Sequence, residues 1–338
     1  MKKIAVIGAG GWGTAIALVL AKKGHEVVLW TRRPEFCAHL LKTRENTTYL
    51  PGVLLPANIN IISSLEQAAA GSDLIVSAVP TKAVREIFQA CKDYVHRNTI
   101  IVSLSKGFEQ KSFFRCSQVI AEVLGNRERI VALSGPNHAE EVARDIPTAT
   151  VVAGYSLSAA EAVQEILMTP KFRVYTNPDL VGVEIAGALK NIIALAVGVC
   201  DGIGYGDNTK AALMTRGIAE ITRLGLKMGA QSLTFAGLAG IGDLIATCTS
   251  KHSRNWQTGY ALGRGESLEE ILQRTGMVVE GVATTATAAE LARRYQVSMP
   301  IATALWEVIF QGKSPHLAVT ELMLRGKTRE GEEFALEQ

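Results

Sequence analysis

Lys3-Ile4-Ala5-Val6-Ile7-Gly8-Ala9-Gly10-Gly11-Trp12-Gly13-Thr14, residues 3–14, is the stretch that decides the fold. A β-branched run ends in a Gly-x-Gly-x-x-Gly turn, a helix-like stretch follows over 12–23, and a second strand-like run covers 26–31. Gly8 permits the tight turn, Gly10 lets backbone approach a diphosphate, and Gly13 lets helix and strand pack closely. The N–H groups that open the helix then face the anion, so strand, turn, helix and strand in register predict dinucleotide binding. Gly11 and Trp12 fill the variable positions, and Trp12 either packs as an ordinary aromatic or lies along the diphosphate.

A second strand that serves NAD ends in an acid gripping the ribose 2′-hydroxyl. This chain instead reads Trp30-Thr31-Arg32-Arg33, with Glu35 arriving late. Arg32 and Arg33 suit a 2′-phosphate, which favours NADP over NAD. The alternative is two solvated arginines on a loop.

Working outward, the same alternation continues. Strand-like runs at INII, DLIVSAV, TIIVSLS, RIVALSG, TATVVAG and FRVYT are separated by helix-like stretches at 34–44, 64–70, 81–93, 112–124, 137–144 and 158–169. Such alternation predicts a largely parallel sheet covered by helices. After Asn177-Pro178 helical spacing takes over through 179–200, 208–229, 252–263, 267–275, 281–296, 300–311 and 314–325. The expected fold is α/β: an N-terminal doubly wound Rossmann domain over 1–177, then an all-α C-terminal domain over 178–338. The last residues, 330–338, are acidic and expected to fray.

Composition narrows the function. With 35 basic and 32 acidic residues the net charge is +3, too small and scattered to imply a nucleic-acid partner. Five cysteines without a CxxC pair, and six histidines without ligand spacing, indicate neither a disulfide framework nor a metal site, and point to a reducing cytoplasm. Met1-Lys2-Lys3 followed by the uncharged run 4–21 resembles a signal peptide or membrane anchor only superficially, because glycines interrupt it. Neither secretion nor stable membrane insertion is expected.

Two apolar runs each hold a single charge. Lys190 stands alone in residues 185–200 and shares a helical face with Val183, Ala186, Gly187, Ala194 and Val197. Desolvation there lowers a lysine pKa toward the range of proton exchange, unless the side chain snorkels out or pairs structurally. Asp243 stands alone in residues 235–248 and needs either a cation, for which Lys190 is the candidate, or a helix to cap. Lys106 follows the strand TIIVSLS, at a strand's carboxyl end, where open α/β sheets hold ligands. Gly135-Pro136-Asn137-His138 repeats that placement, with Asn137 free to cap a helix, or serves only as a turn. Ser250-Lys251-His252-Ser253-Arg254-Asn255 combines hydroxyls, an amide and fixed cations before a helix, the composition a phosphate monoester requires, though a plain polar N-cap has the same look.

The stretches GAGGWGTA, SLSKGFE, LSGPNHAEE, ALKNIIALAVGVCDGIGYGDNTKAAL, GLAGIGDLIATC and SRN resemble bacterial NAD(P)-dependent glycerol-3-phosphate dehydrogenase over nearly the whole chain. The resemblance implies reversible hydride transfer between sn-glycerol 3-phosphate and dihydroxyacetone phosphate, supplying phospholipid synthesis, and a homodimer. It implies that Lys190 moves the proton, and that Lys106, Gly135, Asn137, Asp243, Ser253, Arg254 and Asn255 meet the small phosphorylated substrate. Cofactor positions are implied at Gly11, Trp12, Arg32, Arg33, Lys106, Ala139, Arg254, Val278 and Glu280. The chain departs from the family's common pattern at Gly11, where serine is frequent, and at Asn137 and Ala139, where threonine or serine is. Two other readings fit the same residues: a related β-hydroxyacid-type dehydrogenase acting on a carboxylate, and a non-catalytic NADP-binding sensor.

Overall fold

The computed structural model describes residues 1–275 and 278–327; the acidic stretch 330–338 lies outside the described residues. The chain divides into two compact units, one of Met1–Ser105 with Phe114–Leu180, the other of Lys106–Phe113 with Val181–Gln338.

The first unit is built on eight strands: β1 Lys3–Ile7, β2 Glu26–Trp30, β3 Ile59–Ile62, β4 Leu74–Ser77, β5 Ile100–Ser103, β6 Ile130–Ser134, β7 Thr148–Gly154 and β8 Phe172–Asn177. Their order in the sheet is β3-β2-β1-β4-β5-β6-β7-β8. All eight strand-like runs of the sequence form strands. Side chains alternate between two apolar layers: Ile4 and Val6 join one with the Gly11–Lys22 and Leu157–Leu167 helices, while Ala5 and Ile7 join the other with the Val84–Cys91 and Cys116–Leu124 helices. Burial on both faces explains why these strands read as continuous apolar runs. The strand order reverses between β1 and β4, and the glycine turn leaves β1 at that point, where doubly wound sheets open a crevice for ligands.

Neighbouring strands pair in parallel except β6 with β7, which pair antiparallel. The reason is local. The only helix between them, Ala139–Ala143, has five residues and spans about 7.5 Å at 1.5 Å per residue. That is too short to carry the chain back along a strand, so β7 starts where β6 ends. The expected helix over 112–124 starts later, at Cys116.

The second unit is helical, with no strand among its described residues. Its core is the Leu180–Ile203 helix, long and apolar enough to cross a membrane but with its apolar window 94% buried. The Lys106–Phe113 segment belongs to this unit although sequence order sets it among the strands. Among the contacts that hold it there, Lys106 pairs with Asp243, and the Arg294 guanidinium sits 4.1 Å from the Phe113 ring centroid.

Candidate functional site

In the first unit the glycine turn is set by close approach. Gly8 has φ +115°, and a Cβ there would lie 2.7 Å from the Ala78 carbonyl oxygen. A Cβ at Gly13 would lie 1.9 Å from the Gly8 carbonyl oxygen, so the helix packs directly on the turn. Gly10, the N-cap of the Gly11–Lys22 helix, has nothing within 4 Å of its Cβ position, and this open face beside the first N–H groups fits a diphosphate. Gly11 is explained by its surroundings, since a Cβ would meet the Tyr49 carbonyl oxygen at 2.7 Å. Trp12 packs 6.4 Å from Phe172, ring centroid to centroid, and its buried indole N–H has no acceptor among the described residues.

At the end of β2, Arg32 and Arg33 are exposed, and the first acid after the strand is Glu35. Arg33 lies over the Phe36 ring at 5.0 Å and donates to the Tyr49 hydroxyl at 3.3 Å. Gly135 has φ +129° beside Thr150, whose hydroxyl accepts from Asn137 Nδ2 at 3.0 Å. The expectation that Asn137 caps the next helix is corrected: His138 is the N-cap residue of Ala139–Ala143, because the Asn137 amide is drawn to Thr150 instead.

In the second unit the two lone charges meet. Lys190 is 6% exposed and donates to Asp243 Oδ1 at 2.6 Å; Asp243 is 2% exposed. Lys106 donates to Asp243 Oδ2 at 2.7 Å, so one carboxylate serves two ammonium groups. Lys190 also donates to the Thr247 hydroxyl, which in turn donates to Asp243 Oδ1 at 3.3 Å. The sequence reading missed Thr247. Its signal was present as a hydroxyl four residues after Asp243, which puts both side chains on one helical face.

A wide turn over Leu238–Gly242 delivers Asp243 to the first position of the Asp243–Thr249 helix. Gly240 allows it, since a Cβ there would lie 2.0 Å from the Phe235 carbonyl oxygen. Helix geometry of this kind is frequent at functional sites.

Burial pushes the Lys190 pKa down to about 8, with Lys106 adding to the effect and Asp243 opposing it. Burial alone would raise Asp243, but Lys106 and Lys190 together hold it below the usual carboxylate value. The result is a charged acid beside an ammonium able to give up its proton near neutrality. Neighbouring Cys248 is pushed up to about 12, chiefly by burial, and remains a thiol.

The Ser253–Asn255 segment divides its labour. Ser253 Oγ caps the Arg254–Gly263 helix by accepting from the Trp256 N–H at 3.2 Å. Asn255 donates to Asn191 Oδ1 at 2.9 Å and accepts from the Gly281 N–H at 3.0 Å, joining three helices next to Lys190 and Glu280. Arg254 is exposed and makes one long bond, 3.4 Å, to the Val278 carbonyl. Its helix crosses Leu180–Ile203 with backbones in contact: a Cβ at Gly259 would lie 2.1 Å from the Leu195 oxygen, and one at Gly198 would lie 2.2 Å from the Trp256 oxygen. That crossing fixes the segment relative to Lys190.

Comparison with known proteins gives the family. Residues 3–160 match the family described as NAD-dependent glycerol-3-phosphate dehydrogenase N-terminus, and residues 179–320 match its C-terminus. The chain is 55% identical over 336 residues to glycerol-3-phosphate dehydrogenase [NAD(P)+] of Pelotomaculum thermopropionicum, covering 99% of this chain and 96% of that one. It is 56% identical over 339 residues to the protein of that name from Desulfitobacterium hafniense, covering 99% and 95%. Among solved structures it resembles glycerol-3-phosphate dehydrogenase from Coxiella burnetii, with a TM-score of 0.92, 36% identity, and 96% and 99% of the two chains covered. With that identity along almost its full length, the chain belongs to the NAD(P)-dependent glycerol-3-phosphate dehydrogenase family.

Proposed function

We propose that the chain is an oxidoreductase that interconverts dihydroxyacetone phosphate and sn-glycerol 3-phosphate with NAD(P)H or NAD(P)+, with Lys190 as its acid/base. One observation carries the site assignment: in this chain of the family, the single lysine of an apolar helix is buried, paired with Asp243, and lowered to about pKa 8. The bound nicotinamide supplies the hydride that reduces the ketone carbon.

The Lys190 ammonium gives a proton to the carbonyl oxygen during reduction, and the neutral amine takes one from the hydroxyl during oxidation. Asp243 holds the ammonium in place and keeps enough charge nearby for it to be protonated again. Thr247 takes a second N–H of the ammonium, which leaves the third to meet the carbonyl oxygen. Arg254, the exposed member of its segment, holds the substrate phosphate, joined by the Ser253 hydroxyl proton and by Lys106. Asn255 acts mainly through the helices it ties together.

On the cofactor side, the Gly8–Gly13 turn takes the diphosphate, and Arg32 and Arg33 tilt the choice toward NADP. Gly135, Asn137, Ala139, Val278 and Glu280 keep the ligand roles that family resemblance implies. The first unit thus serves as the dinucleotide-binding domain and the second as the catalytic one. We place the enzyme in the cytoplasm as a homodimer, without membrane insertion or nucleic acid, feeding phospholipid synthesis.

The test is a spectrophotometric assay of dihydroxyacetone phosphate with NADPH and NADH in parallel, beside small keto acids as rival substrates. Oxidation of either cofactor that depends on dihydroxyacetone phosphate is the expected result. Turnover confined to a keto acid overturns the substrate; cofactor binding without turnover of any carbonyl overturns the enzyme.

A further inference from the structure

The segment that joins the Pro34–Thr43 helix to β3 is anchored to the glycine turn by one buried side chain. Asn46, with no exposed surface, donates through Nδ2 to the Ala9 carbonyl at 3.0 Å and to Thr14 Oγ1 at 2.8 Å. Its Oδ1 accepts from the Tyr49 N–H at 3.1 Å. Ala9 belongs to the turn and Thr14 to the helix it opens, so three bonds from a single amide lock Tyr49 against the diphosphate cradle. A buried amide satisfied in this way is rigid. The segment is further closed by an antiparallel bridge between Glu45 and Leu54, and plugged by fully buried Leu50.

Tyr49 uses this fixed position in two directions. Its carbonyl oxygen leaves no room for a Cβ on Gly11, and its hydroxyl accepts from Arg33 Nη2 at 3.3 Å. Its ring meets Phe36 edge-on at 5.6 Å, and Phe36 carries the Arg33 guanidinium on its face at 5.0 Å. Arg33 is therefore restrained from two sides, by a hydroxyl and by a ring face.

We propose that Tyr49, set by Asn46, is a specificity-determining residue for the cofactor's ribose. It holds the Arg33 guanidinium ready for a phosphate monoester on the 2′ oxygen, and so favours the phosphorylated dinucleotide. The inference rests on the dinucleotide reading of the glycine turn and goes beyond it, by naming what makes one of two adjacent arginines selective. A free arginine loses rotamer freedom when it grips an anion; one already restrained loses less, and the difference appears as affinity. The hydroxyl occupies one of five guanidinium N–H donors and leaves a fork for the phosphate.

The experiment titrates the full-length protein by calorimetry with adenosine 2′,5′-bisphosphate and with adenosine 5′-monophosphate, which lacks the 2′ group. Tyr49→Phe keeps the ring and removes only the hydroxyl. The selectivity ratio, the dissociation constant of the monophosphate divided by that of the bisphosphate, should fall about three- to tenfold, the scale of one lost hydrogen bond. Arg33→Ala should lower the ratio at least as far. A Tyr49→Phe ratio equal to the wild type, or equal weakening of both nucleotides, overturns the proposal. Wild-type protein that binds the two nucleotides equally but still binds NADH also overturns it. Protein that binds none of the three overturns the reading of the glycine turn itself.

Discussion

Lys190 Nζ lies 2.6 Å from Asp243 Oδ1, and the other oxygen of that carboxylate is held by Lys106. Two cations share one buried anion, so their net charge is positive, and repulsion from Lys106 reinforces burial in loosening the Lys190 proton.

The first prediction is a pH profile with opposite signs in the two directions. With Lys190 as the proposed acid/base, reduction needs its ammonium form, which is lost as pH rises through about 8, so kcat for reduction should fall there. Oxidation needs the neutral amine, so its kcat rises over the same interval. Lys190→Met should lower reduction by about 10²-fold or more, while NADPH affinity, followed by fluorescence, is kept. Wild-type reduction that is flat through that interval removes Lys190 from proton transfer.

Asp243→Asn separates the electrostatic role from the steric one. It leaves two ammonium groups without their counter-charge in a buried site, an imbalance that costs about 3–5 kcal/mol, measurable by urea denaturation. With the carboxylate gone, burial and Lys106 both act to lower Lys190. The alkaline fall of the reduction profile should therefore move to lower pH. A profile that keeps its wild-type midpoint would show that the carboxylate does not set the lysine.

Much of this site was legible because unusual residues are costly where they stand. A lone lysine and a lone aspartate in apolar runs have few ways to be satisfied, and their pairing followed from that scarcity. The glycine turn was legible because Gly8 and Gly13 answer steric demands next to a strand and a helix. Thr247 escaped because a threonine in a helix is ordinary, and only its neighbours in space make it a partner of Lys190. The shared use of Asp243 by Lys106 escaped for a different reason: the two lie 137 positions apart, and no local pattern encodes that closure. The antiparallel junction of β6 and β7 depends on how far a short helix can reach, which strand propensity does not report.

Arg254→Ala addresses the substrate phosphate. The side chain is exposed with one long bond, so stability should stay within about 0.5 kcal/mol of the wild type. The lost charge-assisted hydrogen bonds are worth about 1.5–3 kcal/mol, or roughly ten- to a hundredfold in KM for dihydroxyacetone phosphate. Arg254→Lys should recover part of this through its charge but not its fork geometry. An unchanged KM in Arg254→Ala takes the residue out of the phosphate site.

Gly259→Ala tests whether the crossing of two helices governs the chemistry. The added Cβ would lie 2.1 Å from the Leu195 carbonyl oxygen, a backbone atom that no rotamer change can move aside. The helices must part, at about 1–3 kcal/mol or more, the scale of overpacking a filled core. One of those helices carries Lys190 and the other begins with Arg254, so parting them shifts the proposed proton donor relative to the proposed phosphate anchor. The expected signature is a lower kcat together with a higher KM, because misplacement weakens positioning and proton transfer at once. Gly326→Ala, where nothing lies within 4 Å of the added atom, serves as the control and should leave thermal stability and both constants unchanged. If Gly259→Ala lowers thermal stability while kcat and KM hold at wild-type values, the crossing supports the fold without setting the reaction geometry.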